Sequence, residues 1–346
     1  MKFLIAGLGS IGRRHLRNLL ALGEQDILLY RTHHSSLPDD ELVGFPMETD
    51  LERALAHRPD AVIVSNPTAL HLQVAIPAAH LGCHLLLEKP VSHTLAGVDK
   101  LRAAVKESGS RVLVGYQFRF HPGLQKAAVL LQSGAIGRPL STRAHWGEYL
   151  PGWHPWEDYR QGYSAQASLG GGAILTISHP LDYLRWLLGN VEAVWAFAGK
   201  RSDLELDVED CAEIGLRFKQ GTLATVHLDY NQRPPEHYLE IIGTQGTLRW
   251  DNRDGAVSIF ESRPDGKDPV STGNWQTYPI QGTFGAGKTF ERNDLFLAEM
   301  RHLIQVLHGA AHPVCTLDDG IQAQRIALAA QLSARQGMLV DPESLE

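Results

Sequence analysis

The stretch Lys2-Phe3-Leu4-Ile5-Ala6-Gly7-Leu8-Gly9-Ser10-Ile11-Gly12 decides the fold. Its first five residues form a short apolar run of strand type. After Gly12 a helical pattern follows, with Ile11, Leu16, Leu19 and Leu20 spaced for one buried face. A G-x-G-x-x-G read alone is weak, but here it follows a strand, opens a helix and stands at the N-terminus, which is the context the motif requires. Gly7 permits the tight turn, Gly9 lets the backbone approach a pyrophosphate, and Gly12 lets helix and strand pack closely. Ser10 and Ile11 begin the helix, whose free N–H groups and dipole face the phosphates.

Outward from this turn, strands and helices alternate. Asp26–Tyr30 reads as a second strand, and Thr49 with Glu52 as a capping box for a short helix. Strand Ala61–Val64, helix Thr68–Leu81, strand Cys83–Leu87, helix Thr94–Glu107 and strand Val112–Tyr116 follow. That spacing means right-handed βαβ units and a parallel Rossmann sheet. Ligands of such sheets sit at the carboxyl ends of the strands. The residues to read chemically are therefore Gly7–Gly12, Tyr30-Arg31-Thr32, Ser65-Asn66-Pro67, Glu88-Lys89-Pro90 and Gln117-Phe118-Arg119. A lysine at a strand's carboxyl end beside a dinucleotide can deliver a proton or a charge to a reacting hydroxyl.

Length and composition agree. The 346 residues suggest two domains at ~150 residues each. The net charge is −7 with scattered basic residues, which argues against nucleic acid or an anionic membrane as partner. No apolar run approaches the ~18 residues of a membrane span, and Arg13-Arg14-His15 ends the N-terminal apolar stretch too early for a signal peptide. Three distant cysteines (Cys83, Cys211, Cys315) offer no metal-ligand spacing and suit a reducing, cytoplasmic compartment.

From residue 121 the pattern changes, giving expected domains of 1–120 and 121–346. A helix over Pro122–Gly134 leads into strands with period-two alternation at Pro139–Glu148, Val191–Gly199, Asp210–Phe218, Leu223–Asp229, Tyr238–Ile242 and Thr247–Asp251. The loop Lys219-Gln220-Gly221 and the turn Gly243–Gly246 lie at hairpin distance. A C-terminal α+β domain with a mostly antiparallel open sheet fits. Ala224, Val226 and Leu228 share one face of their strand, either in the core or at an oligomer interface. A helix starting near Gly172 brings His179 and Asp182 onto one face, where the carboxylate could hold the ring tautomer. An H-x-x-D pair without a third ligand is no metal site. The segment Trp153–Tyr163 is dense in aromatic and hydrogen-bonding groups, as a sugar-binding wall requires, with Tyr159 and Tyr163 as substrate-side candidates. Trp250 alternates within a strand and reads as structural. Helices over Glu291–Leu307 and Leu317–Arg335 close the chain, Gly337 lying just past the end of the second.

Together these residues resemble the Gfo/Idh/MocA family of glucose–fructose oxidoreductase and inositol dehydrogenase-like proteins. The matching segments are Gly7–His15, Ser65-Asn66-Pro67 with His71, Glu88-Lys89-Pro90, Gly115–Arg119, Gly170-Gly171-Gly172 with His179 and Asp182, and Gly243–Gly246. They occur in the family's order across nearly the whole chain. The resemblance implies a nicotinamide-dependent oxidoreductase acting on a sugar, a nucleotide sugar or a cyclic polyol, working as a homodimer or homotetramer. It implies that the last helix covers the first domain. Lys89 and His179 correspond to the family's catalytic lysine and histidine. Ser65, Asn66, Pro67, His71, Glu88, Lys89 and Gln117 correspond to its cofactor-side positions. Leu175 and Thr176 stand where many members carry an aspartate, leaving a Lys–His pair, and Gln117 replaces a common asparagine.

Hydride would then pass between C4 of the nicotinamide and a ring carbon. Lys89 would exchange the hydroxyl proton, His179 would hydrogen-bond the same oxygen, and Arg119 and Asp182 would lie on the substrate side. The alternatives are a dinucleotide-binding sensor without turnover, or oxidative glycoside cleavage through a transient ketone. Cofactor choice is read at Tyr30–Ser35. No acid falls at the switch position, and Arg31 could pair with a 2′-phosphate while Thr32 and Ser35 donate to it, which favours NADP over NAD.

Overall fold

The computed structural model describes residues 1–32, 37–262, 273–279 and 291–345. Ser35 therefore lies outside the described residues. The chain divides into two units, each assembled from separate stretches. The first unit holds residues 1–117, 154–176 and 293–324; the second holds 118–153, 177–292 and 325–346. The first crossing lies close to the boundary expected at 120/121. The later ones leave no mark in composition.

The first unit begins with β1 (Phe3–Ala6), α1 (Ser10–Ala21), β2 (Ile27–Tyr30), β3 (Met47–Glu48), α2 (Leu51–Ala56), β4 (Ala61–Val64), α3 (His71–His80), β5 (His84–Leu87), α4 (Val98–Ser108) and β6 (Val112–Val114). Its sheet is parallel throughout, in the order β3-β2-β1-β4-β5-β6. The strands are continuous Val, Ile and Leu runs because both faces are covered. Their register sets the site: Ala6 pairs with Tyr30 and with Val64, Val64 with Leu87, and Leu87 with Val114. Gly7, Arg31, Ser65, Glu88 and Gly115, each one residue further on, thus emerge along a single edge.

Three local expectations need correction. α2 is capped by Asp50, whose side chain accepts the Arg53 N–H at 2.8 Å, and not by Thr49, because the helix starts one residue later. α4 starts at Val98, not Thr94, because Gly97 at φ 85° stands in the left-handed region. Leu20 is 41% exposed. The buried stripe of α1 runs through Gly12, His15, Leu16 and Leu19. The two-residue edge strand β3 carries too little pattern to be read.

The second unit contains α5 (Pro122–Gln132) and β7 (Pro139–Gly147). The helix expected near Gly172 is two: α6 (Ala173–Thr176) in the first unit and α7 (His179–Leu188) in the second. Pro180 lacks an N–H and so suits the first turn of a new helix. Then come β8 (Val191–Gly199), β9 (Cys211–Phe218), β10 (Leu223–Asp229), β11 (Glu236–Gly243), β12 (Gly246–Asp251), β13 (Val257–Ser262) and β14 (Gly273–Tyr278). The sheet order is β14-β13-β12-β11-β7-β10-β9-β8, antiparallel except for the β7–β10 pair. β13 and β14 extend it beyond the expected strands. Ala224, Val226 and Leu228 are buried in its core, so the interface alternative for them falls. The opposite face exposes Leu223, Trp195 and Phe197. Trp250 is buried, as a structural residue should be.

α8 (Arg292–Leu307) and α9 (Leu317–Gln336) complete the chain. Met300, Leu303, Leu307, Leu317, Ile321 and Ala323 join the core built by the parallel strands. The first turns of α9 belong to the first unit and the remainder belongs to the second.

Candidate active site

The glycine turn is shaped for a close ligand. A Cβ on Gly12 would stand 1.9 Å from the Gly7 carbonyl oxygen, and one on Gly7, whose φ is 99°, would strike the Asn66 backbone. At Gly9, by contrast, a Cβ would meet nothing within 4 Å. The turn is packed tightly behind and open in front. Gly9 caps α1 with no side-chain hydrogen bond, which leaves the first N–H groups for phosphate oxygens. These features fit a dinucleotide. Ser65 Oγ donates to the Gly7 carbonyl at 2.9 Å and fixes the turn, while Ser10 Oγ lies 3.2 Å from His154 Nε2. Ile11 is half-buried beside them.

The neighbouring loops are tied to one another. Asn66 Nδ2 donates to the Leu70 carbonyl at 3.1 Å, and Pro67 precedes a single 3₁₀ turn over Thr68–Leu70. His71 is 1% exposed, and its two ring nitrogens lie 2.9 Å from the Asn66 carbonyl and 3.0 Å from the Pro90 carbonyl. It holds the loops after β4 and β5 together, and burial pushes its pKa down. Gln117 is buried just beyond β6.

Glu88 turns inward from its strand end. Its Oε1 is 2.8 Å from His15 Nε2, and that hydrogen bond, against the cost of burial, holds the carboxyl below its ordinary range. Lys89 turns the other way, half-buried, and donates from Nζ to the main-chain carbonyl of Thr176. Tyr163 lies near Glu88, and burial together with that charge pushes its phenol up to about 12. It therefore stays a hydroxyl donor at neutral pH. Tyr159 stands half-buried in the 3₁₀ turn Tyr159–Gln161.

At the end of β2 the structure adds a residue that the sequence reading did not weigh. Asp39 receives two hydrogen bonds from the Arg31 guanidinium, one at 2.8 Å, and a third from Arg13 Nη2 at 3.4 Å. The Arg31 bond holds its carboxyl below the usual range. Arg31 is thus engaged, and Thr32 is exposed beside it.

In the second unit, His179 is the first residue of α7 and is 4% exposed. Its ring stacks on Trp146 at 5.1 Å and lies tilted 5.1 Å from Phe118. The residue expected to orient it is engaged by a guanidinium. Asp182, 1% exposed, accepts Arg119 Nε at 3.0 Å and Arg119 Nη2 at 2.7 Å. The two residues expected on the substrate side are therefore a buried, two-pronged ion pair. A guanidinium and a carboxylate left separately in that apolar setting would each be costly, so they combine.

Among the described residues, two groups have spacing that a metal would need: His145, His227 and Asp229, and His15, Glu88 and Glu299. Neither includes the His179–Asp182 pair. No described helix is long and apolar enough to cross a membrane, and none of the three cysteines forms a disulfide.

Residues 1–116 match the oxidoreductase family with an NAD-binding Rossmann fold, and residues 124–249 match the GFO/IDH/MocA C-terminal domain. An uncharacterized oxidoreductase of Bacillus subtilis, YrbE, is 30% identical over 99% of this chain and 96% of its own. The myo-inositol 2-dehydrogenase of Thermotoga maritima is 27% identical over 100% of this chain and 99% of its own. The WlbA dehydrogenase of Bordetella pertussis, solved with NADH and UDP-GlcNAcA, superposes with a TM-score of 0.79 at 22% identity, covering 99% and 98% of the two chains. With both halves matched and a relative this similar along its whole length, the chain belongs to the Gfo/Idh/MocA family of NAD-binding oxidoreductases.

Proposed function

We propose that this protein interconverts a secondary hydroxyl and a ketone on a sugar, a nucleotide sugar or a cyclic polyol. A bound nicotinamide dinucleotide supplies the hydride acceptor or donor. Gly7–Gly12 and the start of α1 receive its pyrophosphate, and Ser65, Asn66, Pro67 and Gln117 line the edge along which it lies. Lys89 exchanges the hydroxyl proton at the reacting oxygen, and His179 hydrogen-bonds that oxygen. Tyr159 and Tyr163 supply hydroxyls to the substrate. The observation that carries this reading is Lys89 itself: a half-buried ammonium on the edge where the glycine turn emerges, held by a neutral carbonyl. Such a setting suits a proton that must leave and return.

The expected preference for NADP depends on Arg31 reaching a 2′-phosphate. Asp39 now competes for that guanidinium, so we take NAD(H) as the favoured cofactor and NADP(H) as the form that Asp39 opposes. We further propose a cytoplasmic homo-oligomer in which a second copy covers the outer sheet face around Leu223, Trp195 and Phe197.

The test is a panel of sugars, nucleotide sugars and inositols, followed by the absorbance of the reduced nicotinamide with both cofactors. Turnover of at least one polyhydroxy compound is expected. Tight NAD(H) binding with no turnover of any would instead establish a sensor.

A further inference from the structure

A buried acid in the first unit has no part in the reading above. Glu299 of α8 is 0% exposed, and both its carboxyl oxygens lie buried without a hydrogen-bond partner. Its neighbours are His15 of α1, also 0% exposed, and Glu88 at the end of β5. One ligand atom from each of the three falls within 4.8 Å of the others. The His15–Glu88 contact is already a hydrogen bond of 2.8 Å, and Glu88 Oε2 faces the Lys89 N–H at 3.4 Å. Glu299 thus faces a carboxylate whose other contacts are donors.

Two carboxylates so close in a buried site cannot both be ionised, and the site keeps one proton between them. Which oxygen holds it follows from the partners. Glu88 has a ring nitrogen and an amide to stabilise its charge, while Glu299 has neither. Burial and the charge on Glu88 raise the Glu299 carboxyl well above its ordinary value. The other charged or titratable groups around the cluster are Lys89 beside Glu88, His71 from α3, Tyr163, and Arg14 from α1, whose guanidinium lies 4.5 Å over the Phe296 ring.

We propose that Glu299 is a positioning residue that stays in its uncharged acid form, so that the His15–Glu88–Glu299 cluster offers Lys89 one negative charge and no more. This rests on the assignment of Lys89 as the proton-exchanging group. A second buried anion there would favour the charged form of Lys89 and hinder release of its proton. Glu299 acts through Glu88 and does not touch the reacting atoms.

The decisive measurement is infrared spectroscopy of the whole protein at neutral pH, where exposed carboxyls are ionised and a buried acid shows its own C=O stretch. The parent is expected to show that band and Glu299→Gln to lack it. The sign of the pH dependence gives a second readout. A carboxyl raised in the folded state destabilises the fold progressively as pH climbs above the ordinary Glu value of ~4.3. Glutamine cannot lose a proton, so the melting temperature of Glu299→Gln minus that of the parent should grow with pH. The midpoint of the pH–rate profile should stay in place in Glu299→Gln and move in Glu88→Gln. An absent band in the parent would overturn the proposal. So would melting curves that shift in parallel across the pH range, or a stoichiometric divalent cation whose removal by chelator lowers the parent's melting temperature. The infrared and melting readouts need no substrate, so they stand apart from the outcome of the substrate panel.

Discussion

Lys89 donates to the main-chain carbonyl of Thr176, 87 positions further along the chain and in the same unit. A neutral carbonyl thus accepts a hydrogen bond from the ammonium. A carbonyl orients the side chain without adding an anion that would strengthen its hold on the proton.

Replacing Lys89 with Met keeps the length of the side chain and removes the exchangeable proton. Turnover should fall by roughly 10²–10⁴, the usual contribution of a positioned acid or base. Dinucleotide affinity, read by fluorescence titration, should change little. Near-parental turnover on an accepted substrate would remove Lys89 from the mechanism.

His179 packs against Trp146 and Phe118, so truncation to alanine would mix lost chemistry with lost packing. His179→Phe separates them, because it fills the space and removes the ring nitrogens. The expected result is a loss of about 10²-fold in kcat with the melting temperature largely retained. Full activity in that variant would make His179 a packing residue only.

The Arg119–Asp182 pair should behave as structure. Asp182→Asn leaves a guanidinium buried without its counter-charge and should cost about 3–5 kcal/mol in urea unfolding. Replacing both members with Met and Leu should recover most of that loss. A contact with substrate, as first read from the sequence, would show instead as a raised KM with unchanged stability.

Cofactor choice can be moved at Asp39. Asp39→Asn frees Arg31 and should raise kcat/KM for NADP relative to NAD by about tenfold. Arg31→Asp should move the ratio the opposite way. Dissociation constants for the two dinucleotides, measured without substrate, should follow the same order. A ratio that neither substitution moves would remove Arg31 and Asp39 from the 2′-phosphate site.

Gly12→Ala tests the turn. Its methyl group would press on the Gly7 carbonyl, so α1 must shift from β1. A loss of about 1–3 kcal/mol in stability and a marked weakening of dinucleotide binding are expected. Unchanged affinity would mean that the turn does not approach the phosphates.

The features legible in the sequence were those written as local periodicity. Strands such as Ala61–Val64 and Leu223–Asp229 lie where the apolar run of the first and the alternation of the second place them. The candidate edge followed from knowing that parallel strands end together. Pairings at long range were not legible. Asp182 looked like the partner of His179 because the two share a helix turn, but Arg119, 63 residues away in sequence, claims it. Asp39 is eight residues from Arg31, and no local pattern joins the two. Glu299 did leave a signal. It interrupts the stripe Leu295, Phe296, Met300 and Leu303 with an acid, which marks a buried titratable group without naming its neighbours.

The first unit draws part of its core from residues near the other end of the chain. Met300, Leu303, Leu307, Cys315, Leu317 and Ile321 pack with strands that were synthesised about two to three hundred residues earlier. A ribosome releasing the first 117 residues therefore delivers a sheet with an uncovered apolar flank, and it must translate most of the second unit before the covering helices emerge. Long-range closure of this kind slows folding and prolongs exposure of sticky surface. The nascent protein is thus most vulnerable to aggregation and proteolysis in the interval before α8 and α9 leave the exit tunnel, and a truncation at the apparent domain boundary would hold it in that state.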